Sequence, residues 1–114
     1  MLSTNDGYSW GQRGRLYTAR GDNTRTAIAP QVLNVGGTLV ASFMTNEDTT
    51  NAESDGAQMK VITSVDGGKT WGNSVVTGTQ AHWPGLFNKD QTHFLALYNK
   101  DGVGVVSQSY ALVN

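Results

Sequence analysis

The sequence predicts an all-β protein made of short antiparallel strands joined by tight turns. Fourteen of its 114 residues are glycine, and Val, Thr, Ser and Asn are common, a composition typical of strands and turns rather than helices. One turn motif occurs twice, and the apolar runs around it divide into sets of up to four strands. Repeated four-stranded antiparallel meanders are typical of a β-propeller, so we predict a partial β-propeller of about two four-stranded blades.

The turn motif is clearest at residues 64–71, which read Ser-Val-Asp-Gly-Gly-Lys-Thr-Trp. The Asp66 carboxylate can accept hydrogen bonds from the backbone N–H groups that follow it, and the two glycines can take positive φ at no steric cost. These local donors account for Asp66, so we predict no metal site there. The motif ends at Trp71, whose large apolar ring we expect to be a buried anchor.

A second copy of the motif, at residues 3–10, aligns with the first without a gap. It differs at two positions, because Asn5 stands where Asp is expected and Ser9 replaces Thr. The residues to which we assign a structural role in the two turns are Ser3, Asn5, Gly7, Trp10, Ser64, Asp66, Gly68, Thr70 and Trp71.

The strands are predicted from apolar runs bounded by Gly, Pro, Asn and Asp. They lie at residues 15–19, 27–35, 38–44, 58–63, 73–77, 83–87, 93–98 and 103–110, and the polar residues 46–56 are expected to form a long loop.

These strands group into one complete blade flanked by two incomplete ones. Within a single partial propeller over residues 1–114, residues 1–20 end one blade, residues 21–78 form a complete blade and residues 79–114 form an incomplete one. A closed propeller needs about four to eight blades. The chain is therefore expected to be a piece of a larger propeller or one of several copies in a ring, and a β-sandwich is the alternative architecture.

Composition excludes some classes of partner. The net charge is −1 with no basic run, so nucleic acid is not an expected partner. The chain has no cysteine, which rules out disulfides and thiolate metal sites but leaves the compartment open. No apolar run approaches the roughly 20 residues that span a bilayer, and no signal peptide is recognisable, so no membrane partner is expected. We predict no cofactor and no metal.

Topology separates the two ends of each predicted blade. One end of each blade contains the turn motifs and the turns between the first and second strands; we call it the turn end. We call the opposite end the loop end. A central cleft would open at the loop end. The residues with suitable chemistry at the loop end are Arg25, Glu47, Asp48, His82, Trp83 and Tyr98.

This mixture suits carbohydrate chemistry. Glu47 is the candidate catalytic carboxylate, and the other five residues are candidate substrate contacts through charge, hydrogen bonding or aromatic stacking. Each has a plainer interpretation: a solvated loop carboxylate for Glu47, a salt bridge for Arg25, and a seal between blades for the residues at 82 and 83. His93 lies near the turn end and is expected to be structural.

Glu47 and Asp48 are adjacent, and neighbouring side chains of an extended segment point to opposite sides. They are therefore expected to be a poor catalytic pair, since a retaining glycosidase needs two carboxyl groups about 5–5.5 Å apart. At least one catalytic carboxylate is then expected outside this chain. The isolated chain is expected to be inactive.

The Ser-x-Asp-x-Gly-x-Thr-Trp pattern of residues 64–71 resembles the Asp-box of sialidases and related propellers. A wider likeness to the C-terminal third of exo-α-1,5-L-arabinanases, six-bladed glycoside hydrolases of the sialidase superfamily, covers residues 29–32, 39–48, 60–72, 83–86 and 94–98. The resemblance implies a secreted, retaining enzyme that degrades plant polysaccharide.

Three hypotheses of function follow from the repeats and the resemblance. The first is a fragment of an arabinan-type exo-acting glycoside hydrolase, which supplies residues of the cleft. The second is a non-catalytic propeller module that binds glycan or protein. The third is a self-assembling propeller fragment. The expected partners are carbohydrate and either the remaining blades or further copies of the chain.

Overall fold

The computed structural model describes residues 3, 5–11, 15–49 and 57–113. These residues form seven β-strands in two antiparallel sheets and no helix, which confirms the all-β class. The first sheet has the order β1-β2-β3-β4 and the second has the order β5-β6-β7. The strand bounds are β1 Ala27–Val35, β2 Thr38–Thr45, β3 Gln58–Ser64, β4 Val75–Gly78, β5 Ala81–Asn88, β6 His93–Lys100 and β7 Gly104–Ala111.

Both sheets are simple meanders, in which each strand pairs with the next along the chain. The prediction for residues 27–35 is confirmed without change, and the other six strands are confirmed with ends that differ by one or two residues. Gly36 and Gly37 turn the chain between β1 and β2 at φ values of 57° and 95°, which only glycine adopts easily. The two sheets do not by themselves form a closed ring.

The strand predicted at residues 15–19 is wrong. No strand is assigned there, because no described strand lies alongside to pair with this segment. Leu16 and Tyr17 instead pack against the first sheet, where they cover Phe43. The apolar side chains at residues 15–19 therefore reflect packing of this segment against the first sheet and not a strand of a sheet.

The main core lies between the two sheets. Val35, Val40 and Val61 of the first sheet pack against Phe94 and Ala96 of the second. A second cluster continues this layer toward the loop end and contains Met44, Ala57, Met59 and Ala81, with Ala29 and Tyr98 packed against it.

The other face of the first sheet carries its own small core. Ala41, Phe43 and Ile62 are buried there, and Leu16, Tyr17, Ala27 and Trp71 pack against them. The first sheet is thus covered on both faces, which explains why β2 and β3 are buried along most of their length and not only at alternate residues.

The two turn motifs make the same hydrogen bonds. In the second turn, at residues 64–71, the Gly68 N–H donates to Ser64 Oγ at 2.9 Å and the Thr70 N–H donates to Asp66 Oδ1 at 2.9 Å. The side-chain and backbone bonds from Thr70 hold the pKa of Asp66 well below its usual range. The self-satisfied turn expected from the sequence is confirmed.

In the first turn, at residues 3–10, the Gly7 N–H donates to Ser3 Oγ at 2.8 Å and the Ser9 N–H donates to Asn5 Oδ1 at 2.9 Å. The anchors differ, because Trp71 is half-buried on the first sheet whereas Trp10 is 59% exposed. Trp10 is exposed because no described sheet lies beneath the first turn.

The sheets meet closely at Gly78, which supports a first testable prediction. A Cβ atom at this position would lie 2.4 Å from Cζ of Tyr98, far inside van der Waals contact. We expect Gly78→Ala to lower the free energy of unfolding by about 1–3 kcal/mol through overpacking. Chemical denaturation measures the loss.

Gly85→Ala is the matched control, because its added Cβ would meet Leu97 Cβ at an ordinary 3.7 Å. The combined variant Gly78→Ala/Tyr98→Ala should lose less than the two single losses together, because the clash disappears with the ring. Full additivity in that cycle would contradict the close packing of Gly78 on Tyr98.

Candidate functional site

The loop end of the first sheet is organised around Asn46, which directly follows β2. The Asn46 side chain accepts a hydrogen bond from the Thr26 N–H at 2.8 Å and donates to the Thr24 carbonyl at 3.2 Å. The Thr49 N–H donates to the Asn46 carbonyl at 3.1 Å, which closes a turn. Asn46 is only 1% exposed, so the approach to β1 and the exit from β2 are fixed together.

Glu47 lies in this turn, and its side chain is 0% exposed. Its Oε1 accepts hydrogen bonds from the Tyr17 hydroxyl at 2.6 Å and from Lys60 Nζ at 2.5 Å. Its Oε2 accepts a bond from the Arg20 backbone N–H at 2.9 Å. The interpretation of Glu47 as a solvated loop residue is therefore wrong, because its carboxylate is buried and accepts three hydrogen bonds.

Asp48 joins the same network. Its Oδ2 lies 2.6 Å from Lys60 Nζ, and its Oδ1 pairs with the Arg20 guanidinium. Lys60, at 3% side-chain exposure, therefore bridges two carboxylates. The prediction that Glu47 and Asp48 point to opposite sides is wrong, because they lie in a turn rather than in an extended strand.

Hydrogen bonding and ion pairing in this network stabilise the charged forms of both Glu47 and Lys60. Burial by itself raises the pKa of Glu47, but hydrogen bonds from Lys60, Tyr17 and the Arg20 N–H outweigh it and lower the pKa below its ordinary value. Burial lowers the pKa of Lys60, but the bonds to Asp48 and Glu47 outweigh it and raise the pKa. Burial and the bond to Glu47 raise the pKa of Tyr17. At neutral pH the carboxylate and the ammonium are both charged, and the phenol is neutral.

A cavity of about 450 Å³ adjoins this network. It is wide open to solvent, and its lining is mainly polar. Tyr17 and Lys60 contact Glu47 and also line the cavity, so the buried carboxylate lies directly behind the cavity wall. The lining residues are Tyr17, Arg20, Lys60, Gly72, Asn73 and Ser74.

The remaining predicted site residue of the first sheet, Arg25, lies beside the same turn. Its Nη1 donates to the Asn46 carbonyl at 3.4 Å. The structure therefore brings Arg25, Glu47 and Asp48 together around one buried asparagine.

His82, Trp83 and Tyr98 lie in the second sheet, toward its own loop end. His82 Nδ1 is 2.9 Å from Asp101 Oδ1. Trp83 is 67% exposed at φ 57°, so the described sheets do not use it as a seal. Tyr98 is half-buried between the sheets, where its ring packs against Gly78.

Sequence reasoning missed Tyr17, Arg20 and Lys60. Of these three, only Lys60 could have been predicted from the sequence. A lysine between Met59 and Val61 in a buried strand requires an anionic partner. Tyr17 and Arg20 reach the site through a segment without regular structure, and their neighbours in the sequence do not indicate it.

His93 is the first residue of β6, and its Nδ1 is 2.9 Å from Asp90 Oδ1 in the preceding turn. The Thr92 N–H and His93 lower the pKa of Asp90 to about 2. Among the described residues no group of three or more His, Cys, Asp or Glu side chains is placed to hold a metal ion. That part of the chain also contains no helix long and apolar enough to cross a membrane.

No protein-family model, curated protein or solved structure matches this chain. The fold and site define a class by themselves: an all-β protein of two stacked antiparallel sheets, with a buried carboxylate–lysine network behind a polar cavity.

Proposed function

We propose that the chain is part of a glycoside hydrolase of the sialidase superfamily, similar to exo-arabinanases, and that it supplies residues of the sugar-binding cleft. The observation that carries the proposal is the Glu47 carboxylate, which is buried and ionised behind the wall of a 450 Å³ polar cavity. A buried carboxylate with a controlled charge state is what glycoside hydrolysis requires.

The charge state of Glu47 selects its role. A general acid needs a raised pKa, whereas the pKa of Glu47 is lowered. We therefore assign Glu47 the role of nucleophile or general base, which requires that Tyr17 and Lys60 move aside in the complete cleft to expose the carboxylate to substrate. Both oxygens of Asp48 are already paired, Oδ1 with Arg20 and Oδ2 with Lys60, so the proton donor is a different residue.

The cavity suits a neutral, hydroxyl-rich ligand. The two cations that line the cavity, Arg20 and Lys60, are each paired with a carboxylate of the network, so neither is left over to bind an anion. Asn73 and Ser74 add amide and hydroxyl groups to the lining. A neutral pentose such as arabinose matches this balance better than an acidic sugar does.

The two equivalent turns support the propeller part of the proposal. Each has the same pair of backbone bonds to a Ser hydroxyl and to an Asp or Asn side chain, which fits the Asp-box pattern. We assign residues 1–20, 21–78 and 79–114 to three successive blades of a larger ring. The enzyme acts outside the cell, where plant polysaccharide is found.

Binding tests the cleft directly. We expect titration of the ¹⁵N-labelled chain with α-1,5-arabinotriose to shift the amide resonances of Asn73 and Ser74, with weak affinity because the cleft is incomplete. Asn73→Ala should weaken binding, and Asn23→Ala, in an exposed loop elsewhere, should leave it unchanged. Galacturonic acid oligomers serve as the charged comparison. Equal binding of the acidic and the neutral sugar would sink the neutral-ligand proposal.

Turnover tests the role of Glu47. In the natural protein that carries this chain, we expect Glu47→Gln to lower kcat on arabino-oligosaccharides by about 10²–10⁴-fold with little change in KM. Asp6→Asn, an exposed carboxylate in the first turn, is the control. Circular dichroism must show both variants folded. Unchanged kcat in a folded Glu47→Gln enzyme would remove Glu47 from the catalytic machinery.

A non-catalytic glycan-binding module is the second candidate. Two observations favour it: both oxygens of Glu47 are already bonded within the protein, and Trp83 offers an exposed ring at the loop end. Glycan binding that is lost in Trp83→Ala but kept in Glu47→Gln, without sugar release by the natural protein, would select this candidate.

A further inference from the structure

The two sheets are structural repeats of one another. Each first strand carries a bulge at an X-Pro pair, Ala29-Pro30 in β1 and Trp83-Pro84 in β5, and the residue before proline has φ 55° in one and 57° in the other. Both strands therefore break and resume pairing at the same place, which fixes the correspondence of positions between the sheets.

The strand pairings place Asn46 opposite Asp101 in the repeat. Thr45, the last residue of β2, pairs with the first residue of β1, and Lys100, the last residue of β6, pairs with the first residue of β5. Thr45 therefore corresponds to Lys100. The residues that follow them, Asn46 and Asp101, occupy one and the same position at the loop end.

The two sheets use this position in different ways. In the second sheet the Asp101 side chain is 43% exposed and pairs with His82, while its backbone N–H donates to the Gln80 carbonyl at 2.9 Å. In the first sheet Asn46 is 1% exposed, and its amide bonds the backbone of residues 24–26. The meander therefore folds without a buried amide at this position, and the buried amide is a special feature of the first sheet.

The ion pair next to Asn46 is also special to the first sheet. The same registers place Val106 opposite Lys60 and Gly102 opposite Glu47, so the second sheet has neither charge. Burying an ion pair costs free energy of desolvation, and the second sheet shows that the repeat does not require one. The network of the first sheet therefore has a role other than folding.

Asn46 controls the backbone on both sides of the buried carboxylate. Glu47 is the next residue, in the turn that the Asn46 carbonyl closes. The Asn46 amide also holds residues 24–26, and a turn at residues 22–25 joins this stretch to Arg20. The Arg20 backbone N–H donates to Glu47 Oε2 at 2.9 Å. One buried amide thus sets the position of a carboxylate and of its backbone donor.

The two oxygens of Glu47 have different kinds of partner. Oε1 accepts hydrogen bonds from the side chains of Tyr17 and Lys60, which both line the cavity. Oε2 accepts its bond from the Arg20 backbone N–H. A side chain can move aside by changing its rotamer, whereas a backbone N–H held by a turn cannot. Oε1 is therefore the oxygen that can be released toward the cavity while Oε2 stays held.

We propose that Asn46 is the positioning residue of this site: its buried amide holds the Arg20 N–H on Oε2 of Glu47, so that Oε1 is the oxygen presented to substrate. Because Asn46 is 1% exposed, it acts through Glu47 and not on the substrate itself. The inference rests on the proposed function, in which Glu47 is nucleophile or general base. Its structural part, the hold of Asn46 on the Arg20 N–H, is measurable without catalysis.

The Arg20 amide resonance reports this hold in the ¹⁵N-labelled chain, since a charge-assisted hydrogen bond moves an amide proton downfield and slows its exchange. We expect Asn46→Ala to move the Arg20 amide proton upfield and to speed its exchange at least about 10-fold. Asn34→Ala is the matched control, because Asn34 Oδ1 accepts the Gly37 N–H at 2.9 Å at the turn end of the same sheet. The control should leave the Arg20 amide unchanged. A folded Asn46→Ala protein with a wild-type Arg20 amide overturns the proposal.

Asn46→Asp gives the same test in a variant that is expected to fold even where the alanine variant does not. Aspartate stands at the corresponding position of the second sheet, so the meander folds with it. It keeps the acceptor for the Thr26 N–H and loses the donor to the Thr24 carbonyl. The Arg20 amide should therefore shift in the same direction by a smaller amount. An unshifted Arg20 amide in folded Asn46→Asp overturns the proposal as well.

Turnover by the natural protein separates this inference from the proposed function. Asn46→Ala should lower kcat on arabino-oligosaccharides by about 10–100-fold and change KM less than about 3-fold, because a small misplacement of Glu47 affects the reacting geometry more than binding. Asn34→Ala should keep the wild-type kcat. Wild-type kcat in Asn46→Ala, where Glu47→Gln has lost it, overturns the inference and leaves the proposed function standing. Wild-type kcat in Glu47→Gln overturns both, whatever the Arg20 amide shows.

Discussion

Lys60→Met is expected to lower the free energy of unfolding by about 3–5 kcal/mol at neutral pH. The reason is the surroundings of the ammonium group, which is 3% exposed and touches the carboxylates of Glu47 and Asp48. Methionine fills most of the lysine volume but leaves the Glu47 charge buried without its cation. Urea denaturation of the wild type and the variant measures the difference.

The pH dependence of the two proteins should differ at acid pH. In the wild type the pKa of Glu47 lies below its ordinary value of 4.5, so its contribution to stability is present above pH 4.5 and is lost as the pH falls through the lower folded value. In Lys60→Met burial remains while the largest lowering partner is gone, so the pKa of Glu47 rises relative to the wild type. The variant should therefore lose less stability than the wild type as the pH falls below 4.5.

Two further variants isolate this effect. Lys60→Met/Glu47→Gln should recover at least half of the loss, because the unpaired charge has been removed. Lys69→Met, at an exposed position in the second turn, should change stability by less than about 0.5 kcal/mol. A Lys60→Met protein with the wild-type pH profile would show that Lys60 does not control the charge of Glu47.

Phe43→Ala is the second large effect, and we expect it to cost about 3–5 kcal/mol. Phe43 is 1% exposed and packs with Ala41 and Ile62 on the face of the first sheet that points away from the second sheet. It also supports the segment of residues 15–20 through the stack with Tyr17. The variant therefore loses buried area, an aromatic pair and the anchor of the segment that carries Tyr17.

Phe87→Ala is the matched control, because Phe87 is 60% exposed in the single chain. At a concentration where the chain is monomeric, it should cost less than about 1 kcal/mol. Hydrogen exchange at residues 15–20 gives an independent measure, since protection there should fall in Phe43→Ala and stay unchanged in Phe87→Ala. Equal losses in the two variants would contradict the burial assigned to Phe43.

The loop-end location of Glu47 followed from the sequence because meander order decides which strand ends lie together. Once β1 and β2 are paired through the turn at Gly36-Gly37, the start of β1 and the end of β2 share an end. The environment of Glu47 was predicted wrongly, because the polar residues around it suggested solvent. Burial of Asn46 and the cover from Tyr17 are not visible in that local composition.

The sequence by itself determined the all-β class, the strands from β1 to β7 and the two hydrogen-bonded turns. Those features depend on residues within a few positions of one another: apolar alternation, paired glycines, and a Ser or Asp oxygen next to free N–H groups. Only the tertiary structure decided that Glu47 is buried and ionised. Its partners Lys60 and Tyr17 lie 13 and 30 residues away, and the free energy of burying a charge depends on such distant groups rather than on sequence neighbours.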